Sequence, residues 1–361
     1  MRICIVGAAG ATHIEKWSKY LSEFGHEITI VSLVDFSSDY SKVICIDKKF
    51  SWDQSDIKKA RVLLYANKIR KTIEEIKPDI INVHYATSYG IMTAISGVDN
   101  YILSVWGSDV YDFPRKSFLH RILLKYSLHR ASHVFSTSHA MKEETRRYTD
   151  KEIDVTPFGV DMELFNPNKR KRETNDSKIV IGTVKTLTEK YGISYLIKSF
   201  CEACKFYQQV DLELRIAGQG PQEKEYKQLV EELGLQNSVK FLGFISQEQA
   251  AVEWANMDIG IIYSTLESES FGVSAVEALA SGVPTIISDV PGLVESTGSG
   301  KNAIVVQRKN QDELNKALIN LIRDVELREN LSVKGRHFVQ EEYSAENCFR
   351  HIESLFQKYK R

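Results

Sequence analysis

Short β-branched runs alternate with helical stretches along the whole chain, and that alternation leaves few folds open. The first half offers Ile3-Cys-Ile-Val6, Ile28-Thr-Ile-Val31, Val43-Ile-Cys-Ile46, Ile80-Ile-Asn-Val83, Ile102-Leu-Ser-Val105 and Val134-Phe-Ser136. The second offers Ile179-Val-Ile181, Leu214-Arg-Ile216, Val239-Lys-Phe-Leu242, Ile259-Gly-Ile-Ile262, Thr285-Ile-Ile287 and Ile304-Val-Val306. Such continuously apolar runs suit strands buried on both faces, and helices between them imply parallel sheets covered on both sides. The polar stretch from Asn166 to Ser177 has almost no apolar residue and reads as a linker. The chain is expected to be α/β, with two doubly wound domains over 1–166 and 167–344. Sheets of this kind bind ligands beyond the carboxyl ends of their strands, so substrate is expected in a cleft between the domains.

The chain has 361 residues, enough for two domains of ordinary size. A net charge of -1 gives no bulk field to recruit nucleic acid. Cys4, Cys45, Cys201, Cys204 and Cys348 are scattered, as in a reduced, cytosolic protein. Cys201-Glu-Ala-Cys204 has metal or redox spacing, but it lies inside a helical pattern without a second pair and reads as part of a core helix. Met1-Arg-Ile-Cys-Ile-Val-Gly7 reads as a strand rather than a signal peptide, and no apolar run approaches the length of a membrane span.

The most informative segment runs from Ser264 to Ser288. It starts where the strand Ile259–Tyr263 ends and carries Glu269 and Glu277, eight positions apart. Phe271-Gly272 lies between them, followed by helical spacing at Val273, Val276, Leu279 and Ala280. Ser281-Gly-Val-Pro284 stops the helix, and a new strand follows at Thr285. Strand, loop, short helix and strand thus put Glu269 on the loop and Glu277 inside the helix. The free N–H groups at the opening of a helix attract a diphosphate, and Gly272 would permit its close approach. Glu277 would then accept hydrogen bonds from ribose hydroxyls, and Glu269 would reach the sugar beyond the phosphates. The plainer reading is a solvated loop carboxylate and a helix carboxylate serving the macrodipole.

The pattern Glu269-Ser-Phe-Gly-Val-Ser-Ala-Val-Glu277 with Ala278, Gly282 and Pro284 resembles the signature of glycosyltransferase family 4. That resemblance implies a retaining enzyme of GT-B fold, with two Rossmann-like domains and a last helix, 345–361, crossing back to the first. It implies that Glu269 contacts the donor sugar, Glu277 holds the ribose, and the backbone of Phe271, Gly272 and Val273 lies against the pyrophosphate. The family's Gly-x-x-Arg-Leu-x-x-Glu-Lys-Gly is matched here by Gly182-Thr-Val-Lys-Thr-Leu-Thr-Glu-Lys-Tyr-Gly192. Lys190 matches, Lys185 stands where Arg is usual, and Gly192 comes one residue late. Lysine keeps the charge without the bidentate fork, and two lysines would neutralise a leaving diphosphate. Two surface lysines on a loop is the alternative. Gly218 of Ala217-Gly-Gln-Gly-Pro-Gln222 falls near the base and ribose by the same resemblance. Phe244 and Ile245, after Val239-Lys-Phe-Leu-Gly243, fall in the loop that stacks on the base.

The first half matches more loosely. Gly10 and Ala11 would approach the donor phosphate, and His13, at a helix start, would touch the acceptor or serve only as a polar helix opener. A dinucleotide fingerprint is absent, since Gly7-x-x-Gly10 lacks the third glycine. Ser104-Val-Trp-Gly-Ser-Asp109 resembles the family's Thr-x-His-Gly-x-Asp, with Trp106 in place of the sugar-facing His. Trp106 would stack on a sugar face, and Asp109 would bond acceptor or donor hydroxyls. His84 ends a strand and points at the cleft, though a structural role is the simpler reading. Thr156-Pro-Phe-Gly-Val-Asp161 echoes the family's Pro-Asn-Gly-Val-Asp, so Gly159 and Asp161 are expected to shape a hinge.

The resemblance implies hexosyl transfer from a nucleotide-diphosphate sugar, with uridine expected as the base, to a saccharide or lipid-linked saccharide during glycan synthesis. The leaving phosphate oxygen would itself take the acceptor proton. No Asp-x-Asp sits in a plausible loop, so no metal and no other cofactor is expected. Residues 114–130 hold five Arg or Lys and no acid, with Phe118, Leu119, Ile122, Leu123 and Tyr126 at helical spacing. They read either as a patch for an anionic inner membrane face or as a core-packed helix with a cationic outer face. A nucleotide-sugar 2-epimerase of the same fold and a non-enzymatic nucleotide-sugar-binding protein remain as rivals.

Overall fold

Thirteen parallel strands form two separate sheets in the computed structural model, which describes residues 1–48, 62–172 and 178–360. The first sheet contains β1 (Arg2–Val6), β2 (Glu27–Ser32), β3 (Lys42–Cys45), β4 (Ile80–His84), β5 (Ile102–Ser104), β6 (His133–Ser136) and β7 (Ile153–Val155). Their order is β3-β2-β1-β4-β5-β6-β7. The second sheet contains β8 (Ile179–Val184), β9 (Leu212–Ala217), β10 (Val239–Gly243), β11 (Ile259–Ile262), β12 (Thr285–Ser288) and β13 (Ile304–Val306), in the order β10-β9-β8-β11-β12-β13. The expected strands are all present. β7 escaped the hydrophobic pattern because it is three residues long with Asp154 at its centre.

The chain divides into two compact units, Met1–Phe158 with Glu346–Arg361, and Gly159–Ala345. Each has its own apolar core. In the first, Cys4, Val6, Val31, Ile81, Val83 and Leu103 pack with Tyr65, Ile69 and Tyr89 from the covering helices. In the second, Ile181, Leu214, Ile216, Ile259 and Ile261 pack with Ile197, Phe200, Leu314 and Leu318. Cys201 and Cys204 sit on the helix Ile193–Phe206 of that core as free thiols.

The last helix, Ala345–Tyr359, packs on the first unit. Phe349 lies edge-on to Trp17 at 5.7 Å and stacks on Tyr20 at 4.8 Å. Phe356 meets Trp17 and Phe135, and Tyr359 stacks on His133 at 3.6 Å. Burying an aromatic of this size stabilises by about 1.5–3 kcal/mol, and Phe349 and Phe356 are both fully buried.

The segment read as a linker is partly strapped down. Asp258 takes Arg170 at 2.9 Å and Arg172 at 2.8 Å, while Asn256 Oδ1 accepts from the N–H groups of Lys171 and Arg172. Residues 166–172 therefore belong to the second unit, because their cations meet partners at the amino end of β11. The remainder, 173–177, lies outside the described residues.

Candidate functional site

In both sheets the chain order reverses between two central strands, β1 and β4 in one, β8 and β11 in the other. The carboxyl ends at such a reversal are where doubly wound sheets leave a crevice. In the second unit, that crevice gathers most of the expected charged residues.

Lys185 follows β8 directly, and Glu269 lies on the loop after β11. Lys185 Nζ stands 3.0 Å from Glu269 Oε2, and Ser264 Oγ donates to the same oxygen at 3.2 Å. Both side chains are almost wholly buried. Burial alone would lower the lysine and raise the carboxyl. The pair's mutual attraction overrides this, holding Lys185 above the usual ammonium value and Glu269 below the usual carboxylate value. Lys190 adds its charge to Glu269, and its Nζ donates to the Ser268 carbonyl at 2.9 Å. Glu277 is buried, and its charge also reaches Lys185. Two ammonium groups and two carboxylates are thus concentrated at one strand-end crevice.

Local structure explains the placement. Gly272 is left-handed at φ 78 and precedes the helix Val273–Ala280. A Cβ there would run into Leu293, so this glycine is required by its own backbone and by packing, not only by an approaching ligand. Phe271 is buried edge-on against Tyr343 at 5.1 Å, leaving its backbone as the part that borders the crevice. Ser274 Oγ donates to the Val184 carbonyl at 2.8 Å, tying the helix start to the end of β8. The first turn, including Val273, keeps the orphan N–H donors common to helix openings.

Gly218 and Gly220 also have structural reasons. At each, a Cβ would meet the backbone of the 185–187 loop. Lys185 N donates to the Ala217 carbonyl at 2.9 Å and Leu187 N to the Gln219 carbonyl at 3.1 Å. The Gly-x-Gly turn therefore holds the Lys185 loop in place. Phe244 is 74% exposed and Ile245 half-buried, just before a helix fixed by the Ser246–Gln249 capping box. An exposed aromatic there can stack on a planar ligand.

The first-unit residues form a different environment. His13, His84 and Trp106 follow β1, end β4 and follow β5 respectively. His13 and Trp106 rings lie 3.7 Å apart, His84 and Trp106 4.9 Å, and the two imidazoles stack at 6.3 Å. Phe158 lies 4.7 Å from Trp106, and Trp17 meets His84 edge-on. Trp106 is thus packed by protein rings rather than open on both faces. Both ring nitrogens of the fully buried His84 lack a hydrogen-bond partner. Burial and the Lys16 charge push His13 down to about 4, while burial and the His13 charge keep His84 well below its ordinary value. Both imidazoles are neutral near pH 7.

One expectation is corrected here, and a second residue has a structural reason of its own. Asp109 is fully buried and its carboxylate accepts from the N–H groups of Ala86, Trp106 and Gly107 at 2.9, 3.1 and 2.8 Å. It holds the loop and has no open face for a sugar hydroxyl. Gly10 is left-handed at φ 80, and a Cβ there would strike the Phe36 ring, which accounts for the glycine without a phosphate.

Sequence reasoning missed Ser264, Ser274 and Tyr191. The serines carry no pattern of their own. Tyr191 had a signal, the extra residue before Gly192. Among the described residues no group of three or more His, Cys, Asp or Glu could hold a metal ion, and no helix is long and apolar enough to cross a membrane.

The helix Phe118–Arg130 faces the first core with Leu124, Ser127 and Leu128. Its other side leaves Phe118 at 78% and Leu119 at 62% exposed, with Ile122 and Tyr126 also outside. Arg115 and Arg130 are engaged by Glu144 and Asp99. Lys116, Arg121 and Lys125 form no ion pair among the described residues.

Two family models match the chain, "Glycosyl transferase 4-like" over residues 2–138 and "Glycosyl transferases group 1" over 165–338. The N-acetyl-alpha-D-glucosaminyl L-malate synthase of Bacillus anthracis is 24% identical over 372 residues, covering 97% of this chain and 94% of that protein. Sucrose-phosphate synthase from Thermosynechococcus elongatus superposes with a TM-score of 0.83 at 18% identity, over 99% of this chain and 98% of that one. Anabaena HepE, solved in complex with UDP and glucose, gives 0.79 at 16% identity, over 99% and 100%. These structures share the two-domain GT-B fold with this chain.

Proposed function

The chain belongs to the group 1 glycosyl transferases, with a family 4-like first domain, and from that premise we propose that it is a retaining, metal-independent hexosyltransferase using a UDP-sugar. The buried Lys185–Glu269 pair, with Lys190 and Glu277 around one strand-end crevice, is the observation that carries this reading. Lys185 and Lys190 would present positive charge to a leaving diphosphate, the need a metal would otherwise fill. Glu277 takes the ribose hydroxyls, Glu269 the sugar, and Phe244 with Ile245 the base. Gly218 acts indirectly, through the Lys185 loop. In the first unit, His13 and Trp106 are the acceptor-side contacts, with His84 packed behind them. His13, lowered to about 4, is a poor proton acceptor, which suits a reaction in which the leaving phosphate oxygen takes the proton. UDP in the HepE complex supports uridine as the base.

Calorimetry with UDP tests the donor site. Glu277→Ala is expected to weaken binding by on the order of a hundredfold, since hydrogen bonds to a charged group contribute about 1.5–3 kcal/mol each. The thermal transition should stay near that of the wild type, and excess EDTA should leave wild-type affinity and turnover intact. An unchanged dissociation constant in Glu277→Ala removes the ribose assignment. Loss of turnover in chelator, restored by Mg²⁺ or Mn²⁺, removes the metal-free one.

The acceptor is proposed to be a saccharide on a lipid carrier, with the enzyme cytoplasmic and peripheral on an anionic membrane face. The exposed Phe118, Leu119, Ile122 and Tyr126, beside Lys116, Arg121 and Lys125, support this. Each cation near such a surface contributes about 1 kcal/mol, and salt screens it. Reversing Lys116, Arg121 and Lys125 to Glu should abolish cosedimentation with phosphatidylserine vesicles while leaving UDP affinity unchanged. Wild-type protein that ignores these vesicles at low salt points instead to a soluble acceptor.

A further inference from the structure

Two lysines from different positions of one loop serve the diphosphate in the reading above, and each is a point charge on a flexible stem. Arginine brings its own planar fork; lysine takes its direction from its surroundings. The ring of Tyr191 supplies such a surrounding. Lys185 Nζ lies 4.5 Å from its centroid and Lys190 Nζ 5.2 Å. Both distances are within reach of a cation–π attraction. One aromatic ring therefore touches both ammonium groups, and its negative π-cloud offsets the repulsion that two neighbouring cations would otherwise feel.

The ring is held firmly. Tyr191 ends the 3₁₀ turn Glu189–Tyr191, and Gly192 behind it is left-handed at φ 58. A Cβ on Gly192 would collide with Tyr263, so the backbone is pressed against β11's end. Thr265 N donates to the Lys190 carbonyl at 2.7 Å, and Thr265 Oγ1 donates to the same carbonyl at 3.1 Å. The turn is thus pinned to the loop that bears Glu269. The residue that makes Gly192 late against the family pattern is the one that contacts both lysines.

We propose that Tyr191 is a positioning residue for the leaving diphosphate, its ring holding the Lys185 and Lys190 ammonium groups together so that one diphosphate meets both. The proposal rests on the donor-site reading. When no donor is bound, Lys185 is paired with Glu269. A diphosphate must draw that ammonium toward itself, and the ring gives Lys185 a second, fixed contact from which to face the phosphates. Removing the ring should therefore cost the phosphate contacts and spare those to base and ribose.

The test compares UDP and uridine binding in the wild type, Tyr191→Leu and Tyr191→Phe, with uridine measured by displacement of a fluorescent UDP analogue. Tyr191→Leu is expected to weaken UDP about tenfold and uridine less than twofold. Tyr191→Phe, which keeps the π-face, should bind UDP within about twofold of the wild type. Wild-type binding with an unaffected Tyr191→Leu overturns the role of Tyr191 and leaves the donor site standing. Equal losses for UDP and uridine also overturn it, since they mark a collapse of the loop. A wild-type protein that binds neither UDP nor any other nucleoside diphosphate fails the donor-site reading and takes this proposal with it.

Discussion

Glu269→Gln is expected to lose about 3–5 kcal/mol of folding stability, and Lys185→Met a similar amount, because each leaves one buried charge without its partner. The two groups stand 3.0 Å apart and are both nearly inaccessible to water. Their mutual attraction is what keeps both ionised against the cost of burial. The double variant Glu269→Gln/Lys185→Met buries no uncompensated charge, so most of the loss should be recovered. A urea-unfolding double-mutant cycle measures this coupling directly. Strictly additive losses would show that the pair is not coupled and that the site is more solvated than its geometry indicates. A carboxylate and an ammonium held charged in a crevice cost stability that an apolar pair would not, which is the usual mark of a site kept for binding or chemistry.

Acid should destabilise the protein well before its carboxylates titrate. His13 has a folded-state value of about 4 against an ordinary 6.5, with burial first and Lys16 second as the causes. His84 is displaced in the same direction by burial and by His13. A group that binds its proton more readily unfolded than folded makes stability rise with pH. The penalty is therefore absent above about pH 6.5 and grows as pH falls toward 4. For His13 alone the full displacement corresponds to about 3 kcal/mol. Asp109, raised by burial, works the other way, and the ion-paired Glu269 and Glu213 act lower, below the ordinary carboxylate value. His26 and His133 are lowered in the same direction by burial, against the opposing pull of Glu353 and Asp154, and add to the same trend. Urea midpoints at pH 7, 5.5 and 4.5 should fall steeply in the wild type and less steeply in His13→Phe, whose ring fills the same place beside Trp106 without a proton to bind. A variant with the same pH slope as the wild type would assign the acid sensitivity elsewhere.

The alternation of elements, and with it two parallel sheets, is legible in the residues alone. Hydrophobic runs of β-branched residues identify strands locally, because burial on both faces demands them along the whole run. The sequence also marked Glu269 and Glu277, on the loop and short helix after a strand, while Lys185 and Lys190 stood out only through their resemblance to the family's motif. What surrounds each of them is visible only in the folded chain. Asp109 matched a motif as well as Glu269 did, yet three backbone N–H groups close around its carboxylate, and nothing in its neighbours' letters tells a loop anchor from an open one. Gly218, Gly10 and Gly272 read as ligand approaches, and the fold adds a reason no neighbour in sequence shows: a Cβ at each would strike Lys185, Phe36 or Leu293, up to 33 residues away in the chain. The pairing of Lys185 with Glu269 spans 84 residues, and Ser264 and Tyr191 join it only because β8 and β11 lie side by side. Periodicity is a property of neighbours in sequence; charge pairing and close packing are properties of neighbours in space, and the crossover that makes β8 and β11 adjacent is what converts one into the other.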